Sequence, residues 1–214
     1  MPGITLYAYP GSCSKVSMIL LEETGVEYAI QPVNLMRGEH KQPAYLAINP
    51  KAKVPALKLD EEFLTENPVL IQALAYRFPD AKLMPPAVDT MASLQQWSDL
   101  CFCAANLHPL VTRLCKPEFF AGEEAIDNVK EKATLAMHAG LALVEERLAN
   151  THWWYGDAWS AVDAYVYWVY ARIALCGFDF SEFPHLEGHA KRMGERPAVQ
   201  KATEKERAIL AGYN

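Results

Sequence analysis

The pattern of hydrophobic and polar positions changes part-way along the chain. In the first part, short apolar runs of strand type alternate with segments whose apolar residues recur every three or four positions, as on one face of a helix. The predicted strands are residues 4–8, 28–33, 54–59 and 63–65, and the predicted helices are residues 14–24 and 68–77. In the later part nearly everything has helical periodicity, over residues 90–114, 123–148, 161–175 and 184–195.

These elements predict two domains, of α/β and all-α class. The first, residues 1–79, has the order βαβ followed by ββα, which is a thioredoxin-like order. A proline-marked linker, residues 80–89, precedes an all-helical bundle domain at residues 90–214. Ser160 with Asp163 three residues later forms a capping-box pattern at the start of the most apolar helix, which we expect at the centre of the second domain.

Composition narrows the classes of function. The formal net charge of −6 argues against general nucleic-acid binding. The first residues lack the pattern of a secretory signal, and the most apolar stretch, residues 161–176, carries Asp163 and Arg172 and is too short to span a bilayer. Five cysteines, an odd number at irregular spacing, suit a reducing compartment. We therefore expect a cytoplasmic protein with no membrane or nucleic-acid partner.

The strongest candidate for chemistry is the sequence Gly11-Ser12-Cys13-Ser14, between a predicted strand and a predicted helix. A thiol at a helix N-terminus has its pKa lowered by the helix dipole and by free N–H groups. The hydroxyls of Ser12 and Ser14 can donate to that sulfur or to the sulfur of a ligand. Val16 stands three residues after Cys13, so a dithiol Cys-x-x-Cys pair is excluded and any redox chemistry would use one thiol.

A second feature is Val54-Pro55 at the start of a predicted strand. A proline there is explained if the Val54–Pro55 bond is cis and turns the Val54 backbone outward, so that its N–H and C=O can pair with an extended peptide. Glu66 and Asn67 lie where a strand gives way to a helix and can hold the charged amino-acid end of a ligand. Together, the thiol, the peptide edge and the amino-acid clamp predict a glutathione site.

The chain resembles the soluble glutathione transferases over essentially its whole length. Seven segments carry the resemblance in the right order, namely Tyr9-Pro10-Gly11-Ser12-Cys13-Ser14, Val33-Asn34-Leu35 with Gly38-Glu39-His40-Lys41, Tyr45-Leu46-Ala47-Ile48-Asn49-Pro50, Val54-Pro55-Ala56-Leu57, Leu64-Thr65-Glu66-Asn67, Ser160-Ala161-Val162-Asp163 and Arg196-Pro197-Ala198-Val199. The Gly-Ser-Cys-Ser segment is similar to that of the bacterial beta class and also resembles the Ser-Cys motif of the zeta class. Gly11 departs from the zeta pattern, which more often has a serine there.

The resemblance implies roles for residues on both domains. Cys13, with Ser12 and Ser14, would activate the glutathione sulfur. Val54 and Pro55 would hold the cysteinyl part of glutathione, Glu66 and Asn67 the γ-glutamyl end, and Lys53 or Arg37 the glycyl carboxylate. The pair Glu66-Asn67 departs from the common Glu-Ser pair, and Asn67 is also a good helix N-cap, so that role stays open. Tyr7 and Tyr9, the alternative thiolate ligands, are more typical of sheet residues.

His108 is the candidate from the second domain, because a histidine on its first long helix can face a cleft as a donor or general base. Its position resembles a cleft histidine of the beta class, although Pro109 follows where that class often has a lysine. The alternative is a histidine that satisfies a carbonyl freed by the proline. No metal site is expected, since Cys101 and Cys103 point in different directions on a helix.

The predicted function is therefore a homodimeric glutathione transferase, with glutathione as co-substrate and a small apolar electrophile as acceptor. If Cys13 itself reacts, the activity becomes thiol–disulfide transfer. A glutathione-dependent isomerase of zeta type and a non-catalytic scaffold or regulator are the alternatives, because fold does not imply activity.

Overall fold

The computed structural model describes residues 3–213, which form two compact units. The first unit comprises the residues up to Met84 together with those from Glu195, and the second comprises Pro85–Gly194. The predicted linker, residues 80–89, spans the change from one unit to the other. The predicted second domain extended to residue 214, whereas the last helix lies in the first unit. As independently folding pieces, the predicted domains remain a prediction.

The strands are β1 (Ile4–Ala8), β2 (Ala29–Pro32), β3 (Ala56–Leu59) and β4 (Glu62–Thr65). The helices within residues 3–213 are α1 (Ser14–Thr24), α2 (Pro43–Leu46), α3 (Asn67–Arg77), α4 (Thr90–Cys101), α5 (His108–Cys115), α6 (Ile126–Ala149), α7 (Ala161–Ala174), α8 (Pro184–Gly194) and α9 (Pro197–Ala211), besides short 3₁₀ and π-helical segments. The sequence did not predict α2 or α9.

One mixed sheet organises the first unit, with the strand order β2-β1-β3-β4. β1 pairs parallel to β2 and antiparallel to β3, and β4 completes a hairpin with β3. The predicted thioredoxin-like fold is thereby confirmed. Side chains alternate along β1, so Leu6 and Ala8 are fully buried while Tyr7 lies on the other face, against the rings of Tyr45 and Phe63. Tyr7 therefore packs as a sheet residue.

Helix α1 has the predicted bounds because the residues that start and end it are next to it in the sequence. Its first residue, Ser14, follows the turn that contains Gly11, and Gly25 ends it in the left-handed conformation at φ +68°. Glycine adopts that conformation without steric cost, which is why it commonly ends helices. The buried face of α1 includes Val16, Ile19 and Leu20.

Helix α9 packs against α1 within the first unit. Two ion pairs near the end of α1 join the helices: Glu22 with Lys205, and Glu23 with Arg196, where N···O is 2.8 Å. Lys205 also lies over the Tyr28 ring, 4.1 Å from its centroid. The last helix of the chain therefore supports the first helix.

The second unit is organised around α7, as predicted. Ser160 and Asp163 form the capping box, and both are fully buried. Asp163 also accepts hydrogen bonds from Trp154 N–H at 2.8 Å and from the ring of His189 at 2.9 Å. These contacts give Asp163 the structural role that the sequence predicts.

The predicted helix 90–114 contains a wider turn than an ordinary α-helix. Residues Phe102–Leu107 form a π-helical segment between α4 and α5, with the N–H of His108 bonded to Cys103 C=O. Pro109, which has no N–H, follows directly. A π-helical turn is one way in which a helix accommodates such a break in its ladder.

Two cysteines form a disulfide. Cys115 and Cys176 are partly buried, and their disulfide joins the C-terminal ends of α5 and α7, with Cα atoms 5.4 Å apart. The two cysteines are 61 residues apart in the sequence, so no local motif predicts that they pair. Cys13, Cys101 and Cys103 are free. No helix in the described part of the chain is long and apolar enough to cross a membrane.

The disulfide predicts how many cysteines react with a thiol reagent before and after reduction. Protein purified without reductant and denatured should show three reactive thiols with an aromatic disulfide reagent, and five after reduction, because two of the five cysteines are paired. Cys176→Ser should leave four reactive thiols without reduction. A count of five in the unreduced wild-type protein would contradict the pairing.

Candidate functional site

The candidate thiol site is a tight turn that leads directly into α1. Ser12 N–H donates to Tyr9 C=O at 3.1 Å across the turn, with Pro10 and Gly11 at its centre and Gly11 at φ +74°. Proline followed by a residue with positive φ is typical of a type II turn. The turn places Cys13 as the residue immediately before α1.

The hydroxyls of Ser12 and Ser14 are committed to this turn. Ser12 Oγ donates to Tyr9 C=O at 2.7 Å, and the Ser14 hydroxyl is in contact with Ser12 Oγ. Ser14 Oγ in turn accepts from Tyr9 N–H at 3.2 Å. Each hydroxyl has one proton. The Ser12 proton goes to Tyr9, so Ser14 donates to Ser12, and neither serine has a proton left for a ligand sulfur.

Burial opposes a thiolate at Cys13, contrary to the expectation of a lowered pKa. The residue is 8% exposed, and burial raises the pKa of its thiol to about 12. The Glu66 charge adds to the rise, while the N–H of Cys13, the Asn67 side chain and the Lys53 charge lower the pKa by less. Its Sγ lies 3.4 Å from Val54 C=O, to which the S–H donates. Helix position alone therefore does not produce a thiolate here, because desolvation outweighs it.

Asn67 ties the start of α3 to the start of α1. Its buried side-chain amide donates to Cys13 C=O at 3.0 Å and accepts from the Ser17 hydroxyl at 2.9 Å. Glu66, rather than Asn67, is the N-cap residue of α3, and it provides no side-chain cap. The Asn67 side chain thus makes two bonds within the protein, and its expected role as helix cap is wrong, whereas its contact with a ligand stays a prediction. Its backbone N–H finds no acceptor among residues 3–213.

The Val54 C=O faces Cys13, and hydrogen bonds to the preceding residue fix this part of the backbone. The Val54–Pro55 bond is cis, as predicted. Lys53 C=O accepts from the Tyr45 hydroxyl at 2.6 Å and from the Asn49 amide at 2.7 Å. Val54 precedes β3, and in the described residues its N–H has no acceptor. Tyr45 and Asn49 were not predicted as supports of this loop, although Asn49-Pro50 is a recognisable turn signal in the sequence.

Glu66 has a strained backbone next to the thiol site. Its φ of +71° is unfavourable for a side-chain-bearing residue, and such strain clusters at functional sites. Its exposed carboxylate pairs with Lys51, 2.8 Å away. The Lys53 side chain is also exposed, and its charge favours a lower pKa at both Cys13 and His40. Lys51 is a neighbouring cation that the sequence analysis did not single out.

The remaining predicted residues lie apart from this cluster or in the other unit. Arg37 is exposed on the loop after β2, and its charge acts on the pKa of Tyr213. His108 belongs to the second unit, where its Nδ1 lies 3.0 Å from the Tyr165 hydroxyl and its ring packs edge-on against Trp168. Its ring therefore contacts two side chains of α7.

A separate cavity of about 390 Å³ lies in the second unit, between the end of α6 and the start of α8. Its lining includes His152, His185 and Arg192. Arg192 donates to His152 C=O at 2.8 Å and lies over the Trp153 ring, so its charge supports the local fold. The described residues contain no group of three or more side chains suited to hold a metal ion. We therefore place the candidate site in the first unit, at the start of α1 and α3.

The chain is similar to known proteins over most of its length. Residues 2–71 match the family model of the glutathione S-transferase N-terminal domain, and residues 117–192 match that of the C-terminal domain. The glutathione S-transferase GstA of Escherichia coli O157:H7 is 33% identical over 204 residues, covering 92% of this chain and 96% of the relative. A maleylacetoacetate isomerase of Pseudomonas aeruginosa is 30% identical over 201 residues, covering 92% and 94%.

Solved structures give the same result. A glutathione transferase homologue from Sulfitobacter, crystallised with bound glutathione, superposes with a TM-score of 0.85 at 28% identity and covers 96% of this chain and 99% of its own. A sphingomonad glutathione S-transferase complexed with glutathione has a TM-score of 0.83 at 32% identity, covering 94% and 98%. The chain belongs to the glutathione S-transferase family.

Proposed function

We propose that this protein is a glutathione transferase that holds glutathione on the loops of the first unit and promotes attack of its sulfur on an electrophilic small molecule. The observation that carries the proposal is a set of backbone donors at one place. The N–H groups of Val54 and Asn67 have no acceptor in the described residues, and both flank Cys13. Unpaired donors at helix and strand ends are typical of sites that bind an anionic peptide.

The charges around these donors suit the three parts of glutathione. The N-terminus of α3, with Asn67 N–H, favours the γ-glutamyl carboxylate, and the Glu66 carboxylate favours its ammonium group. The Val54 backbone pairs with the cysteinyl residue, beside Pro55. Lys53 is the better candidate for the glycyl carboxylate, because it lies near enough to Cys13 for its charge to favour a lower pKa of that thiol. Arg37 stays a weaker candidate on an exposed loop.

The state of Cys13 favours conjugation over thiol–disulfide chemistry. Glutathione supplies the nucleophilic sulfur. A neutral Cys13 can donate its S–H to that sulfur, as it does to Val54 C=O, and so stabilise the thiolate. The serines hold the turn that places Cys13. A mixed disulfide with glutathione would need Cys13 itself as the thiolate, and burial opposes that form.

A glutathione-dependent isomerase is the second candidate, supported by the similarity to the Pseudomonas isomerase. In that reaction glutathione is regenerated, whereas conjugation consumes it. Stoichiometric loss of glutathione thiol with an acceptor therefore identifies a transferase, and turnover without loss identifies an isomerase. His108 remains a candidate donor to the acceptor in either reaction.

The wider setting is part of the same proposal. We place the protein in the cytoplasm with a role in detoxification, in line with its family. The free thiols of Cys13, Cys101 and Cys103 suit a reducing compartment, whereas the disulfide between Cys115 and Cys176 does not.

Glutathione binding tests the site directly. In calorimetric titration of the reduced protein, Glu66→Gln should bind glutathione about tenfold more weakly than wild type, because the amide oxygen that remains lacks the negative charge that favours the ammonium. Glu61→Gln is the matched control, since it removes the exposed Lys58–Glu61 ion pair and should leave affinity unchanged. Absence of binding to the wild type would overturn the proposed roles of Val54, Glu66 and Asn67 together.

Alkylation tests the protonation state of Cys13. At pH 8 iodoacetamide should label Cys13 much more slowly than Cys101, because the buried thiol with its pKa of about 12 is neutral, whereas Cys101 is exposed. Between pH 8 and pH 10 the labelling rate of Cys13 should keep rising about tenfold per pH unit without a plateau, because the thiolate stays a small fraction of the thiol below its pKa. Peptide mapping by mass spectrometry measures both sites in one sample. Faster labelling at Cys13 would mean a reactive thiolate and would favour thiol transfer.

We also propose a homodimer that uses faces of α4 and α6. Large apolar side chains are exposed on these helices, namely Met91 and Leu94 on α4 and Leu135 and Leu143 on α6. Exposed apolar faces of this kind mark interaction surfaces. Sedimentation equilibrium should give twice the chain mass of 23.9 kDa, and Leu135→Glu with Leu143→Glu should shift the protein toward monomer. A wild-type monomer at micromolar concentration would contradict the proposal.

A further inference from the structure

The strongest feature outside the proposed site is a nearly buried carboxylate on the last helix. Glu206 of α9 is 7% exposed. One carboxylate oxygen accepts from Gly11 N–H at 2.7 Å, and the other pairs with Lys15 Nζ at 2.9 Å. Gly11 precedes the segment Ser12-Cys13-Ser14 and Lys15 follows it. A single side chain therefore holds both ends of the thiol segment.

The bond to Gly11 meets a need of the turn. A turn of this type uses the N–H of its fourth residue, Ser12, and leaves the N–H of its third residue, Gly11, without an acceptor inside the turn. A backbone donor left unpaired away from water is costly. Glu206 supplies the acceptor from 195 residues further along the chain. The carboxylate thus fixes the peptide between Pro10 and Gly11.

The ion pair with Lys15 stabilises the nearly buried carboxylate of Glu206. Side chains of Lys15 and Glu206 are 13% and 9% exposed, and a charge in such surroundings is stable only with an opposite partner and further hydrogen bonds. Lys15 Nζ also donates to Thr203 Oγ1 at 3.0 Å. Thr203 lies one turn before Glu206 on α9. Two residues of α9 thus hold the first turn of α1.

We propose that Glu206 is a positioning residue for the thiol site, which fixes Ser12-Cys13-Ser14 by clamping Gly11 on one side and Lys15 on the other. The inference rests on the proposed function, in that the segment it positions is the one that activates glutathione. It goes further, because it makes α9 a functional part of the first unit. Glu206 itself contacts no reacting atom; it acts through the turn.

Three variants separate positioning from simple packing. Glu206→Ala removes both contacts, whereas Glu206→Gln keeps an oxygen acceptor for Gly11 N–H. Lys205→Met is the matched control, because the neighbouring Lys205 also joins α9 to α1, through Glu22, but does not touch the turn. Any general loosening of α9 should appear in Lys205→Met as well as in Glu206→Ala.

The first measurement is hydrogen exchange of the free protein, read by mass spectrometry on peptides covering residues 9–16. Exchange there should rise at least tenfold in Glu206→Ala, stay within about threefold of wild type in Glu206→Gln, and be unchanged in Lys205→Met, since only the first variant leaves Gly11 N–H without its acceptor. This readout does not depend on glutathione or on activity. Equal exchange in Glu206→Ala and wild type would overturn the inference even if the protein is a transferase.

The second measurement is conjugation of glutathione to 1-chloro-2,4-dinitrobenzene. In Glu206→Ala, kcat should fall about tenfold with the glutathione KM changed by less than threefold, because misplacement of the activating group affects the reacting centre more than binding. Glu206→Gln should recover most of the loss. A fall of the same size in Lys205→Met would mean that helix packing alone matters. Lack of activity in the wild type would count against the proposed function, and the exchange result would still decide the role of Glu206.

Discussion

The candidate site depends on one buried amide, that of Asn67. Helices α1 and α3 begin side by side, and each brings backbone groups that ordinary helix bonding leaves unpaired. The Asn67 side chain donates to Cys13 C=O and accepts from the Ser17 hydroxyl, so the two helix starts are held at a fixed separation. The backbone N–H of Asn67, at the start of α3, has no acceptor among residues 3–213. The geometry of the site thus precedes any contact with glutathione.

A second consequence concerns the thiol. The same burial that gives Cys13 a fixed position removes it from water, and desolvation raises its pKa to about 12 against the opposing influence of its own N–H, Asn67 and Lys53. Groups that stabilise negative charge on sulfur are therefore present, but they do not suffice to ionise Cys13. The S–H of a neutral Cys13 is instead a donor to a glutathione sulfur brought beside it, as the proposed conjugation requires.

Support for the site comes from several parts of the chain. Tyr45 and Asn49 hold the Val54 loop from behind, Glu66 carries backbone strain at the start of α3, and Glu206 reaches the thiol turn from α9. Tyr45, Asn49 and Glu206 each make a hydrogen bond to a backbone group, so each fixes the main chain rather than one rotamer. A site built on backbone donors needs this kind of support, because its donors move with the main chain.

The sequence by itself determined the features that depend on local chemistry. The bounds of α1 follow from the turn at Gly11 and the stop at Gly25, the capping box follows from Ser160 and Asp163, and alternation along β1 predicts the sheet. It also grouped Cys13, Val54 and Glu66 as parts of one glutathione site. What only the tertiary structure decided depends on contacts between distant residues. The raised pKa of Cys13 depends on burial, the bonds of the Asn67 side chain depend on Cys13 and Ser17, and the disulfide and the Glu206 clamp join residues 61 and 195 positions apart. Periodicity and short motifs carry no information about such pairs, because they describe each segment without the surface against which it packs.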